Sequence, residues 1–226
     1  MQTLKLNEAA LNKKILFLST TVVLSLIFFA AISLFQTQQV SKGNELVNNN
    51  LSALTRIGAP TKGAADAKVT IVEFFDPACE TCAKFYPLVN NIIKKYQGKV
   101  KVEMRYTPFH QGSEQVVKLL EAAHLQGKFW PALEILFAKQ SFWTYNHVAK
   151  SSQALQLLSP LPLNQQQLKI DMESKQIKNI VSRDITDAKS LEVRATPQFF
   201  INGKPLANFG YKQLVQSVER AIALAY

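Results

Sequence analysis

Two cysteines, Cys79 and Cys82, are all that the 226 residues contain. With no thiol outside this pair, a disulfide-stapled scaffold is excluded, and no spare thiol is left to pair wrongly in an oxidising compartment. Histidine is scarce as well. His110, His124 and His147 are the only three, and none stands at metal-ligand spacing from the cysteines or from another histidine, so a four-ligand zinc site lacks donors. No metal and no other cofactor is expected. Glycine (8) and proline (9) are few, which leaves an ordinary globular composition. Runs of positive charge are missing too. The formal net charge is +10, and without the first 35 residues 23 basic face 15 acidic side chains, a net +8. The lysines nevertheless stand singly among apolar and amide residues, without interleaved aromatics. That pattern argues against nucleic acid and for a solvated basic surface near a membrane.

What is present centres on Cys79-Glu80-Thr81-Cys82. Before it, Val69 to Phe75 (VTIVEFF) is a β-branched and aromatic run that predicts a buried strand. After it, Cys82, Phe85, Tyr86, Val89, Ile92, Ile93 and Tyr96 recur at the spacing of one helix face. Asp76-Pro77-Ala78 forms the turn between. Cys79 is therefore expected at the first turn of a helix, where unpaired N–H groups and the macrodipole favour thiolate over thiol. A second cysteine three residues on lies on the same side and can displace a mixed-disulfide partner. Other roles for the pair stay open: a structural staple, half of a zinc site, or a two-thiolate Cu(I) site of a copper-tolerance protein. A redox-inert binding module is the remaining alternative.

Residues 1–14 are short, polar and basic, and read as a cytoplasmic tail. From Ile15 to Phe35 no charge occurs, and a helix of that length reaches about 31 Å, enough to cross the hydrocarbon core. Lys13 and Lys14 flank its start, which by the positive-inside rule keeps the N-terminus in the cytoplasm and exports the rest. The reading is a retained single-pass anchor at 15–35; a signal peptide is the alternative, with Ala31-Ile32-Ser33 the nearest approach to a cleavage site. Residues 36–57, rich in Gln, Asn and Ser, read as a polar spacer, and Leu46, Leu51, Leu54 and Ile57 give it a faint helical stripe.

Further along, residues 100–106 alternate like a second strand. From about 111 to 190 the pattern is helical, with stripes through Val116, Leu119, Leu120 and Ala123, through Leu133, Leu136 and Phe137, through Val148, Leu155 and Leu158, and through Ile177, Ile180, Val181, Ile185, Ala188 and Leu191. Gln198 to Ile201 returns to strand, Asn202-Gly203 signals a hairpin, and Leu214, Val215, Val218 and Ile222 mark a last helix.

This order, with a cysteine pair opening the first helix and Thr196-Pro197 opening a late strand, resembles the thioredoxin fold. The helical insertion makes the chain similar to the DsbA family of exported thiol oxidoreductases. The stretches that carry the likeness are DAKVTIVEFFDPACETC (66–82), GKFWPALEILF (127–137) and VRATPQFFINGKPL (193–206). It spans residues 58–226. The expected fold class is thus α/β, a thioredoxin fold with an inserted helical subdomain, preceded by one N-terminal transmembrane helix.

The resemblance implies that Cys79 is the exposed nucleophile and Cys82 the buried resolving thiol. It implies that Pro197, otherwise an ordinary strand-start proline, is a cis-proline that sets Thr196 beside Cys79 to pair with an extended substrate. Glu73, otherwise a strand residue that could face solvent, matches a buried acid that relays the proton of Cys82. One departure concerns Glu80 and Thr81, which stand where strongly oxidising members carry proline and histidine. An anion there should raise the Cys79 pKa and make the disulfide a milder oxidant. Glu192 and Ala195 stand where many relatives carry glycine, with a local loop change expected. Together these readings predict an extracytoplasmic, membrane-anchored thiol-disulfide oxidoreductase. It would act on thiols of exported proteins or peptides, and a membrane redox partner would re-oxidise or reduce the pair. The same chemistry in reverse, a disulfide reductase or isomerase, is the nearest alternative.

Overall fold

The computed structural model describes Phe28 and residues 52–226; the predicted tail, the anchor apart from Phe28, and the spacer up to residue 51 lie outside the described residues. Among the described residues no helix is long and apolar enough to cross a membrane.

The predicted buried run forms β2 (Val69–Phe75), the middle of a five-stranded sheet. A short β1 (Thr61–Gly63) precedes it, and α1 (Glu80–Lys95) leads from β2 to β3 (Val100–Tyr106), which pairs with β2 in parallel. Such a crossover places a helix on one sheet face. The chain then leaves the sheet for α2 (Ser113–Leu125), α3 (Phe129–Ala138), a 3-10 turn (Gln140–Phe142), a hairpin of β4 (Thr144–Tyr145) and β5 (Val148–Ala149), and the helices α4 (Ser151–Leu157), α5 (Gln165–Met172) and α6 (Lys175–Ser190). It returns through β6 (Gln198–Ile201), antiparallel to β2, then β7 (Lys204–Pro205) and α7 (Tyr211–Ala225). The strand order is β1-β3-β2-β6-β7.

Because side chains alternate along a strand, β2 serves two cores. Ile71 and Phe75 pack toward α1, α7 and the insertion; Val72 and Phe74 pack with Leu54, Ala188, Val193 and Phe200 on the opposite face. Glu73 alternates with Val72 and Phe74, so it points to the α1 side, and its partners across the ladder, Met104 and Phe199, are both apolar core residues.

Three expectations are corrected. Val148 is not on a helix stripe: it pairs with Tyr145 in a hairpin whose turn residues Asn146 and His147 have φ of 47° and 62°, the left-handed pair that a tight two-residue turn needs. On α6, Ile185 is 39% exposed while its neighbour Asp184 is fully buried. Asp184 takes the inward position because Arg105 and Arg56 meet it there, at 2.9 and 3.0 Å. Finally, Leu54 and Arg56, assigned to the end of the spacer, are buried in the domain; Arg105 donates to the carbonyls of Ala53 and Leu54, and Arg56 pairs with Glu121 at 2.8 Å. Ile57 is fully exposed.

Candidate active site

Strand β2 ends at Phe75 and α1 begins at Glu80, so Cys79 takes the N-cap position, with extended backbone and no side chain capping the helix. Free first-turn N–H groups are thereby left to the sulfur. Cys82, one turn on, is fully buried, whereas Cys79 keeps 8% of its surface exposed. Both thiols are free. The Thr196–Pro197 bond is cis, and in its thiol form Cys79 donates to the Thr196 carbonyl at 3.3 Å. The sequence-predicted Cys79, Cys82, Glu73, Thr196 and Pro197 thus meet at one end of the sheet.

The two sulfurs are driven apart in acidity. A hydrogen bond from the Cys82 thiol, working against burial, draws Cys79 down to about 5, helped by the Thr196 side chain and the backbone N–H groups of Cys82 and Thr81. Burial pushes Cys82 well above its ordinary value, reinforced by that same hydrogen bond and by the charges of Cys79 and Glu73. At neutral pH one sulfur is an anion and the other holds its proton. Thr81 acts here through its backbone. Glu80 is exposed and is not among the principal groups that set the Cys79 acidity.

Glu73 is 1% exposed, and its Oε2 has no hydrogen-bond partner. Burial first, and the Cys79 charge second, raise its carboxyl to about 8. In an unfolded chain the proton leaves near pH 4.3, so folding takes up a proton between about 4 and 8, and stability falls as pH rises through that window. Glu73→Gln is expected to stabilise the reduced protein by roughly 3 kcal/mol at pH 7 in urea unfolding, and by nothing near pH 4. No gain at pH 7 would mean that the carboxyl is not held neutral.

The turn that carries Cys79 is held by residues the sequence did not single out. Buried Asp76 accepts through Oδ1 from Ala78 N at 2.8 Å and from Ser113 Oγ, and through Oδ2 from His110 N at 2.8 Å; His110 Nδ1 lies 2.7 Å from Oδ2. His110 stacks on His147, ring centroids 5.5 Å apart. Gln140 Nε2 donates to the Pro77 and Cys79 carbonyls. Only the Asp76–Ala78 bond, an Asx turn, has a local signature; the other partners come from the insertion. Gly112 (φ 78°) opens α2 so close to the Ala149 carbonyl that a Cβ would sit 2.4 Å from its oxygen, which fixes Ser113 beneath Asp76. In the loop before Thr196, Glu192 adopts φ 56°, keeping a left-handed conformation that glycine takes more readily.

A family model described as thioredoxin matches residues 55–220. The Na(+)/H(+) antiporter NhaA of Herminiimonas arsenicoxydans is 28% identical over 145 residues, 64% of this chain but 22% of the antiporter; the chain spans about a fifth of that relative's length. Disulfide bond formation protein D of Bacillus subtilis is 27% identical over 191 residues, 81% of this chain and 85% of that protein. The crystal structure of oxidised BdbD from Bacillus subtilis has a TM-score of 0.65 and 27% identity, covering 75% of this chain and 95% of that one.

Proposed function

We propose, from the premise that the chain belongs to the thioredoxin family and is a DsbA-like thiol-disulfide oxidoreductase, that it forms disulfides in exported polypeptides through Cys79 and Cys82. The observation that carries this reading is the split between a Cys79 held as thiolate, largely buried but with 8% of its surface open, and a fully sealed Cys82 that keeps its proton. In the oxidising direction a substrate thiolate attacks Cys79 of the Cys79–Cys82 disulfide. The S–S bond between the two cysteines breaks, a Cys79–substrate disulfide forms, and Cys82 leaves as thiolate and takes the proton of Glu73. A second substrate thiolate then attacks the substrate sulfur of the mixed disulfide. Cys79 departs as a stable thiolate, which favours the reduced enzyme and so the oxidised product.

Glu73 suits the first step. While Cys79 is bonded to the substrate it carries no charge, so the carboxyl loses part of what raised it and yields its proton more readily. Thr196 and Pro197 hold the substrate strand. Support comes from residues 194–196, whose N–H groups have no backbone partner among the described residues, an open edge of the kind that extended peptides join. Of the two residues between the cysteines, Thr81 tunes the potential through its backbone N–H, and the Glu80 carboxylate is assigned at most a minor part. Residues 15–35 anchor the chain in the cytoplasmic membrane with the N-terminus inside and the domain outside, and a membrane redox partner re-oxidises the pair.

The test uses the full chain with the pair oxidised and a reduced, unfolded polypeptide. Disulfides should appear in the polypeptide as the pair becomes reduced, and alkylation of Cys79 in the reduced protein should follow a midpoint near pH 5. A substrate that keeps all its thiols would sink the reading. A pair reduced at steady state in cells would instead reverse the direction of flow.

A further inference from the structure

We infer that Gln140 is a positioning residue for the nucleophile, its amide holding the Pro77–Cys79 turn so that helix N–H groups, and not the turn's own carbonyl oxygens, face the Cys79 sulfur. The inference rests on the reading of Cys79 as the attacking thiol and adds the device that the insertion supplies to it.

Gln140 opens the 3-10 turn after α3 and is 8% exposed. Its Nε2 donates to the Pro77 carbonyl at 2.8 Å and to the Cys79 carbonyl at 3.1 Å, across 63 and 61 residues of sequence. A primary amide has two N–H groups, and both are spent on this turn. The Cys79 carbonyl also accepts the first helical bond, from Ala83 N at 3.2 Å, so the amide grips α1 at its opening.

Gln140 is itself rigid. Its main-chain carbonyl accepts from Trp143 N at 3.1 Å and from Thr144 Oγ1 at 2.8 Å. Trp143 is fully buried, with Nε1 donating to the Leu136 carbonyl at 2.8 Å. A site group is held to useful precision when its supporting residues are locked by packing and hydrogen bonds, and the insertion meets that condition here. Without the amide, two buried carbonyls lose a donor. The turn can then rotate them toward other N–H groups, among them those of Thr81 and Cys82 that serve the sulfur. The titratable groups facing Cys79, namely Cys82 and Glu73, are unchanged by the replacement.

The experiment compares the full-length reduced wild type with Gln140→Met, which keeps the length of the side chain and removes its donors. The rate of Cys79 alkylation is followed from pH 4 to 9. The midpoint should rise by at least one unit, and the pair should become about tenfold easier to oxidise, a potential about 30 mV lower. Gln140→Glu, whose carboxylate would face both carbonyls, should move it further. A midpoint within 0.2 units of wild type overturns the inference, even if the melting temperature falls, because the residue would then be only structural. Should neither variant fold, the wild type decides: the Gln140 side-chain amide resonances must titrate with Cys79, and resonances blind to that titration overturn it. None of these readouts needs turnover, so failure of the enzyme on polypeptides and failure of this inference are separate results.

Discussion

Cys79→Ser is expected to reduce disulfide exchange to the uncatalysed background, because a serine hydroxyl neither ionises at neutral pH nor attacks sulfur. Cys82→Ser should behave differently. It keeps a nucleophile and a hydroxyl donor beside it, so it should attack a disulfide-containing polypeptide and stall as a mixed disulfide, visible as a reducible adduct on a gel. Cys82→Ala separates the two roles of that thiol. The hydrogen bond from Cys82 is the largest influence lowering Cys79, and its loss should lift the alkylation midpoint by a unit or more, about 1.4 kcal/mol per unit. At pH 7 an acidity of about 5 rather than the ordinary 9 favours the reduced pair by roughly 60 mV. A midpoint unmoved in Cys82→Ala would show that Thr196 and the helix N-terminus set the thiolate without the second thiol.

Asp184→Ala should lower the stability by about 3–5 kcal/mol, the range for breaking a buried ion pair from one side. Asp184 is fully buried, accepts a hydrogen bond from Arg105 Nε at 2.9 Å, lies 3.0 Å from Arg56 Nε as an ion pair, and accepts from Tyr106 N at 2.9 Å. Its removal strands a guanidinium that is itself fully buried. Arg105 keeps Asp187 at 2.5 Å and Arg56 keeps Glu121, so the lower end of the range is the better expectation. Urea unfolding measures it. The residual folded protein should still show the Cys79 midpoint near 5, since no residue of the cluster is among the principal groups that set the Cys79 acidity; a loss under 1 kcal/mol would mean that the cluster is solvated. Its place also explains why the domain reaches back to residues 53–56, which Arg105 and Arg56 tie to β3, α2 and α6.

Hydropathy made much of the fold legible. The run Val69–Phe75, the stripe from Cys82 to Tyr96 and the Asn202-Gly203 turn each carry a period or a turn chemistry that local sequence expresses. Periodicity failed where an inward position is charged: on α6 it nominated Ile185 and passed over Asp184, because a buried carboxylate depends on arginines 79 and 128 residues away. It failed again at Val148, where a two-residue turn interrupts an otherwise helical stretch.

The site divides in the same way. By itself the sequence determined a cysteine pair at a strand-to-helix junction, since residue type, spacing and the end of a hydrophobic run are all local. Only the tertiary structure decided how acidic each sulfur is, which way Glu73 faces, and that Gln140, His110 and Ser113 grip the turn. Burial and hydrogen bonding between distant segments exist only once the chain is packed, and they set both the acidity of the sulfurs and the position of the reactive one.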